Sequence, residues 1–212
     1  MMPMKPNERE YRDFTLAVVE LANDEGAEER KIVSGYASVF GTPYTLYEDD
    51  EVVIQEQVDS KAFDSADMTD VILQYNHEGR VFARVSNNTL RVAPDERGLS
   101  IEADLGGTDI GNQLYQEIKG GYTTKMSYGY TVRGAEWNES KLDDGRTLEL
   151  RTVTEIGKVY DVSAVSIPAN NATNISVRNL SDGVIEQIKA ERLKALELER
   201  RKLQTRMRLG GF

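Results

Sequence analysis

Short apolar runs separated by polar turns dominate the pattern of roughly the first 180 residues. The runs are rich in Val, Ile, Tyr and Phe, a composition typical of β-strands. The predicted strands cover residues 12–21, 31–40, 51–57, 71–75, 81–85, 89–92, 99–105, 124–133, 147–156 and 159–167. Because only a polar turn at residues 23–26 separates the first two strands, we expect them to pair with each other.

Helical spacing of apolar residues occurs in one central segment and predicts a helix over residues 108–119. The expected cap is Thr108 or Asp109, the apolar face is Ile110, Leu114 and Ile118, and Gly120-Gly121 ends the helix. A second, short helix is predicted over residues 59–65, with Asp59 or Ser60 as its cap. Many short strands around one helix favour a mainly β fold of the α+β class, built as a closed or nearly closed antiparallel barrel.

The pattern changes after residue 177, where the strand signals end. Residues 182–209 contain no proline and are dense in Glu, Lys, Arg, Gln and Leu, which predicts a long helix. A thin apolar seam follows it at Leu193, Leu196, Leu203 and Met207, interrupted by Arg200. The predicted organisation is a flexible N-terminus (1–11), a barrel domain (12–177), and a linker with a helical arm (178–212). A solvated helix packed on the body is the alternative to an arm that docks or oligomerises; the regular seam favours the arm.

Charge and composition exclude several classes of function. The net charge of −10 argues against nucleic-acid binding, which needs a basic face. The charge is uneven, since residues 182–209 carry eight Lys or Arg against five Asp or Glu, and the rest of the chain is strongly acidic. The absence of cysteine excludes disulfides, thiolate metal sites and a cysteine nucleophile. No apolar stretch is long enough to span a membrane, and with one histidine and no P-loop lysine we expect neither a metal nor another cofactor.

Two residues are candidates for proton transfer and nucleophilic attack. His77 is the single histidine and follows an apolar strand, where its side chain can enter a cleft. Histidine has a free pKa of about 6.5, which suits proton transfer near neutral pH. Ser127 lies in the sequence KMSYGY after the glycine-ended helix. No G-x-S-x-G elbow surrounds it, which argues against an α/β-hydrolase.

Two acids in the last strand region are candidates to support the histidine. Asp161 and Glu155 lie among apolar residues, where a carboxylate is costly to bury unless it has a partner. Their even separation places both on one face of an unbroken strand. Gly157 lies between them and permits a β-bulge. A bulge would break the alternation of side chains, and the even spacing of the two acids would then no longer show which one faces the site.

Five segments in this order resemble the motifs of one protein family. They are GYASVFG at 35–41, KAF at 61–63, NH at 76–77, MSYGY at 126–130, and the block RTV at 151–153, VYDVSAV at 159–165 and PAN at 168–170. Together they resemble the HK97-type phage prohead serine proteases, although the second segment lacks that family's proline. The resemblance covers about residues 30–177.

The resemblance implies a fold like the herpesvirus capsid protease, a β-barrel flanked by helices. It implies a serine endopeptidase that cleaves scaffold or capsid protein, and itself, inside the immature capsid in the bacterial cytoplasm. Ser127 would be the nucleophile and His77 the base. The herpesvirus enzymes use a second histidine, which this chain lacks, so the third role passes to Asp161, which matches the family motif, with Glu155 in reserve. The expected partners are the major capsid or scaffold protein, with homo-oligomers also possible.

Two other functions remain open at this point. A non-catalytic barrel that binds scaffold protein during assembly would leave His77 and Ser127 with structural roles only. A β-barrel esterase would keep the same residues and change the substrate.

Overall fold

A computed structural model describes residues 10–15 and 30–166, together with Ala190, Leu193, Lys194, Glu197, Arg200 and Arg201. Residues 10–15 and 30–166 are mainly β, as predicted, with one α-helix. The strands are β1 (Glu10–Thr15), β2 (Ile32–Val39), β3 (Tyr44–Glu48), β4 (Val52–Val58), β5 (Ile72–Tyr75), β6 (Glu78–Arg84), β7 (Leu90–Pro94), β8 (Gly98–Asp104), β9 (Lys125–Lys141) and β10 (Thr147–Val165). The helix is α1 (Asp109–Lys119), and a 3₁₀ turn occupies Val85–Asn87.

The larger sheet is organised around β10, its longest strand. The order is β1-β9-β10-β4-β3, and β5 also pairs with β10 and carries β6 beyond it. Antiparallel β9 runs along one edge of β10. The other edge is shared, since the first part of β10 pairs with β4 and its last part with β5, both in parallel. This arrangement brings β9, β10 and the end of β5 side by side.

Strand β10 contains the segments predicted as two strands, 147–156 and 159–167. It continues through Gly157, but its register against β9 shifts four times between Val153 and Asp161. Such irregularities rotate the side chains that follow, because each extra residue reverses the alternation of faces. The face on which Asp161 lies is therefore not set by its distance in sequence from Glu155.

The described pairing of the first strands is not the expected hairpin. In the described residues β1 pairs with β9, and β2 pairs with β8 in a separate three-stranded sheet of order β2-β8-β7; residues 16–21 of the first predicted strand lie outside the described residues, and their expected pairing with the second strand stays a prediction. The closed antiparallel barrel is also not found, because in the described ranges the two sheets stay distinct and the larger one includes parallel pairs. Pairing over such distances depends on contacts that local propensity does not encode.

The central helix is confirmed, and the short one is wrong. Thr108 caps α1 by accepting a hydrogen bond from the Gly111 N–H at 3.1 Å, and Leu114 and Ile118 are buried while Ile110 is half-buried. Residues 59–65 form a series of turns instead, in which the N–H groups of Ala62, Asp64 and Ala66 each donate to the carbonyl three residues earlier. The Phe63 side chain of this segment lies in the main core, which explains why an apolar residue occurs among its polar neighbours.

The main core lies between the two sheets and against α1. It contains Leu99 and Ile101 of β8, Met126 of β9, Val153 of β10 and Leu114 of α1. Burial of these side chains from four separate elements fixes the sheets and the helix relative to one another.

The ends of the chain are described only in part. Glu10 begins β1, and residues 1–9 lie outside the described residues, so the expected flexible N-terminus of residues 1–11 stays a prediction. The six described residues between Ala190 and Arg201 are helical. The remainder of the predicted arm and the domain boundary near residue 177 lie outside the described residues.

Candidate active site

Strand β9 places Ser127 on the face opposite its core residues. Met126, Tyr128 and Tyr130 alternate into the main core, and the two tyrosine rings stack with centroids 4.4 Å apart. Because successive strand side chains point to opposite faces, Ser127 projects to the other side. Its neighbours across the sheet are Asp13 of β1 and Ser163 of β10.

A tight hairpin between β5 and β6 carries His77. Tyr75 and Glu78 pair, so Asn76 and His77 form a two-residue turn. Both have positive φ values, 52° and 60°, as a type I′ hairpin requires. Asparagine accepts this conformation readily, whereas histidine is strained in it by about 1–2 kcal/mol. The strain indicates that surrounding contacts hold the turn.

Those contacts come from the end of β10. The Asn76 N–H donates to the Ala164 carbonyl at 3.0 Å, and the Asn76 side chain bonds the Ser166 N–H at 3.1 Å. The His77 N–H donates to Ser163 Oγ at 3.2 Å. The turn is therefore fastened to the strand that also carries Asp161.

Three side chains meet where these elements converge. His77 Nε2 lies 2.6 Å from Ser127 Oγ, and His77 Nδ1 is hydrogen-bonded to Asp161 Oδ1. Asp161 Oδ1 also accepts a hydrogen bond from Ser163 Oγ at 3.0 Å. A buried carboxylate needs such donors, because without them its charge would be poorly stabilised away from water.

Burial differs among the three side chains. Ser127 and Asp161 are fully buried, while the His77 side chain is 17% exposed. Burial excludes water from the Ser127–His77–Asp161 contacts and strengthens their electrostatic interaction.

The structure separates the two candidate acids. Glu155 does not approach His77; its carboxylate is half-exposed, 3.3 Å from Ser65 Oγ and 4.0 Å from an Arg133 guanidinium nitrogen. The register shifts of β10 account for the different surroundings of Glu155 and Asp161.

Sequence reasoning missed Ser163 and the anchoring role of Asn76. A signal for Ser163 existed: it stands two residues after Asp161 and so shares its face on a regular strand. No local signal pointed to its second contact, with the main chain of His77, which lies 86 residues away in sequence.

A buried ion cluster fastens β1 and β4 to β10. Arg151 of β10 is fully buried and pairs with Glu56 of β4, which is also fully buried, and with Glu10 of β1. Tyr130 of β9 donates to Glu56 at 3.1 Å. The cluster joins four strands of the larger sheet, β1, β9, β10 and β4.

A surface ion pair closes the base of the hairpin that bears His77. Arg84 forms two hydrogen bonds with Asp70, at 2.8 and 2.5 Å. The hydrogen bonds from Arg84, with a further one from Ser86, hold the pKa of Asp70 down at about 2. Asp70 therefore stays ionised through most of the acid range.

No metal or membrane site emerges from the described ranges. Nowhere in them do three or more His, Cys, Asp or Glu side chains cluster as metal ligands would. Over those same ranges, no helix has the length and apolar character to cross a membrane.

A cavity of about 480 Å³ lies beside the His77 turn, between the β5–β6 hairpin and α1.

Comparison with known proteins decides the family. The family model described as caudovirus prohead serine protease matches residues 17–188. The chain belongs to this family. The match confirms the resemblance seen in the sequence motifs and makes the protein a serine protease of bacteriophage capsid maturation.

The chain is similar to the solved structure of gp21, the capsid assembly protease of bacteriophage T4, with 11% identity and a TM-score of 0.45. That similarity covers 76% of this chain and 98% of the T4 protein chain. No curated protein matches the chain.

Proposed function

We propose that this prohead protease is an endopeptidase whose nucleophile is Ser127, whose general base is His77 and whose orienting acid is Asp161. The observation that carries the proposal is the continuous contact between these groups, with Nε2 of His77 2.6 Å from Ser127 Oγ and Nδ1 on Asp161. Nucleophile, base and orienting group within hydrogen-bond reach are the signature of such a site.

The first half of the reaction forms an acyl-enzyme. Ser127 Oγ attacks the peptide carbonyl carbon as His77 Nε2 takes the hydroxyl proton. The imidazolium that results is stabilised by Asp161 through Nδ1–H. His77 then gives its proton to the leaving amine, the C–N bond breaks, and the acyl group remains on Ser127.

The second half releases the acyl group. Water attacks the ester carbonyl while His77 removes its proton, and the proton then passes to Ser127 as the C–O bond to the serine breaks. A carboxylate serves as the third member in this chain because its single histidine is already the base.

The proposed substrates are scaffold and capsid protein segments inside the immature capsid in the bacterial host, and the protease chain itself. Support comes from the family assignment. Confinement in the capsid would raise the effective concentration of these segments, so strong recognition of each cleavage site is not required.

Replacement of Ser127 tests the proposal. Ser127→Ala is expected to keep the fold and to lower kcat by about 10⁴- to 10⁶-fold, as loss of a nucleophile does. The matched control is Ser38→Ala, because Ser38 in the other sheet is also fully buried and its hydroxyl makes no hydrogen bond within the described ranges. Turnover would be measured on a peptide from the capsid protein and on the capsid protein itself.

Two outcomes would contradict the proposal. Cleavage at the wild-type rate by Ser127→Ala would remove this serine from the mechanism. Hydrolysis of a simple ester by the wild-type protein, with the capsid protein left intact, would indicate an esterase.

A further inference from the structure

One hydroxyl connects the acid and the base of the proposed site. Ser163 Oγ donates to Asp161 Oδ1 at 3.0 Å and accepts the main-chain N–H of His77 at 3.2 Å. Asp161 Oδ1 is the same oxygen that bonds His77 Nδ1. A serine hydroxyl has one proton to donate and can accept as well, and Ser163 uses both capacities within this site.

Ser163 lies in the interior of the protein, beside the proposed nucleophile. The residue is fully buried and stands directly opposite Ser127 in the β9–β10 ladder. Burial of a hydroxyl without hydrogen-bond partners costs free energy, so the two hydrogen bonds of Ser163 stabilise the folded protein. Both of these hydrogen bonds end on residues of the proposed triad.

The hydrogen bond between Ser163 and the His77 main chain is important because the backbone of His77 is strained. His77 has a φ of 60°, which a histidine adopts only at an energetic cost. The hydrogen bond to Ser163 fixes the main chain at the strained residue itself, and the bond from Asn76 to Ala164 fixes the residue before it. Both hydrogen bonds therefore help to set the direction in which the imidazole ring leaves the main chain.

We propose that Ser163 is a positioning residue, which locks the His77 ring against Asp161 by holding the histidine main chain and the carboxylate at once. It does not touch the reacting atoms and acts through His77 and Asp161. The inference rests on the proposed function for its kinetic consequence, but its structural consequence for the imidazole is measurable without a substrate.

Kinetics provide the first test. Ser163→Ala is expected to lower kcat by about 10- to 100-fold, because small displacements of a catalytic group are costly, and to leave KM within about twofold. Ser163→Thr keeps the hydroxyl on a strand that accepts β-branched residues and is expected to restore most of the activity. Ser38→Ala, another buried serine replacement, is expected to match the wild type.

The single histidine provides the second test. Because the chain has one imidazole, ¹⁵N-histidine labelling yields one pair of ring signals. At alkaline pH, where imidazole is neutral, the wild type and Ser38→Ala are expected to show one tautomer with the proton on Nδ1. Ser163→Ala is expected to show a mixture of tautomers.

The outcomes separate this inference from the proposed function. If Ser163→Ala keeps the wild-type kcat and a single tautomer while Ser127→Ala is inactive, the positioning role is wrong and the proposed function stands. If Ser127→Ala retains full activity, the proposed function fails, and the tautomer measurement alone decides the role of Ser163. Should Ser163→Ala not fold, Ser163→Cys replaces it, since a thiol has similar shape but is a weak donor, and the same criteria apply.

Discussion

At the scale of single residues, the site depends on a histidine held in a backbone conformation that it does not favour. His77 occupies the second position of a two-residue hairpin turn, where glycine is usual. Substitution by glycine would relieve the strain and remove the proposed base. Strain retained at a site in this way is typical of residues whose function requires their position.

Asp161→Asn tests the identity of the orienting acid. An asparagine amide cannot stabilise the imidazolium and can present an N–H to Nδ1, which favours the wrong tautomer. We expect kcat to fall by about 10⁴-fold, as for the corresponding change in other serine proteases. The measurement is steady-state hydrolysis of a peptide substrate.

Glu155→Gln is the matched control, since it makes the same chemical change on the same strand. Its side chain is half-exposed and does not contact His77, so we expect kcat within about threefold of the wild type, in line with the small effects of surface substitutions. A larger loss from Glu155→Gln than from Asp161→Asn would transfer the orienting role to Glu155.

At the scale of elements, the β5–β6 hairpin is stabilised by a pair whose charge depends on pH. Asp70 has a pKa of about 2 in the folded protein, below its usual 3.8, because Arg84 and Ser86 donate hydrogen bonds to it. A lowered folded-state pKa contributes stability that is fully present above about pH 4 and is lost as the pH falls towards 2.

Asp70→Asn tests this contribution. Because both side chains are partly exposed, at 45% for Arg84 and 40% for Asp70, we expect a small decrease in Tm at neutral pH that shrinks as the pH falls through this window. Thermal unfolding of both proteins at several pH values provides the measurement. A difference in Tm that stays constant down to pH 2 would show that the ionised pair is not its source.

Loss of an ion pair in the buried cluster on β10 is expected to destabilise the protein more than loss of the Asp70–Arg84 pair. Glu56 and Arg151 are both fully buried, so removal of one partner leaves the other charge poorly compensated. We expect Glu56→Ala to lower the free energy of unfolding by about 3–5 kcal/mol. Denaturant unfolding would measure it.

The control for this change is Glu48→Ala. Glu48 also pairs with an arginine, Arg146, but its side chain is 54% exposed. A surface pair of this kind contributes about 0–1 kcal/mol. Equal effects of the two substitutions would mean that burial of the Glu56–Arg151 pair is unimportant for stability.

At the scale of the whole molecule, the basic C-terminal segment contrasts with the acidic remainder of the chain. Residues 200–208 contain five Lys or Arg and no acid, and Leu196, Leu203 and Met207 share one face of the predicted helix. The docking arm stays a prediction, since most of it lies outside the described residues.

Deletion of residues 182–212 tests the arm. We expect hydrolysis of a short peptide to be nearly unchanged, while incorporation into proheads and processing of the capsid protein fall sharply, because tethering supplies effective concentration. Both activities would be measured on the truncated chain. Unfolding of the protein, with loss of peptide hydrolysis, would show that the segment belongs to the core instead.

The sequence by itself determined the local features of this protein. Short runs rich in Val, Ile, Tyr and Phe predicted most of the strands, and the spacing of Leu114 and Ile118 after a Thr108 or Asp109 cap predicted α1, because these signals come from neighbouring residues. The order of short motifs around His77 and Ser127 indicated the family. No comparable signal assigned partners to the strands, so the pairing of β1 with β9 was missed.

Only the tertiary structure decided which residues meet. Register shifts in β10 broke the alternation that would have placed Asp161 and Glu155 on one face, and only Asp161 contacts His77. Ser163 acquires its role from a turn 86 residues earlier in the chain. Such contacts arise because burial of the two sheets against α1 fixes distant strands side by side, whereas the pattern along a chain reports only what each segment favours alone.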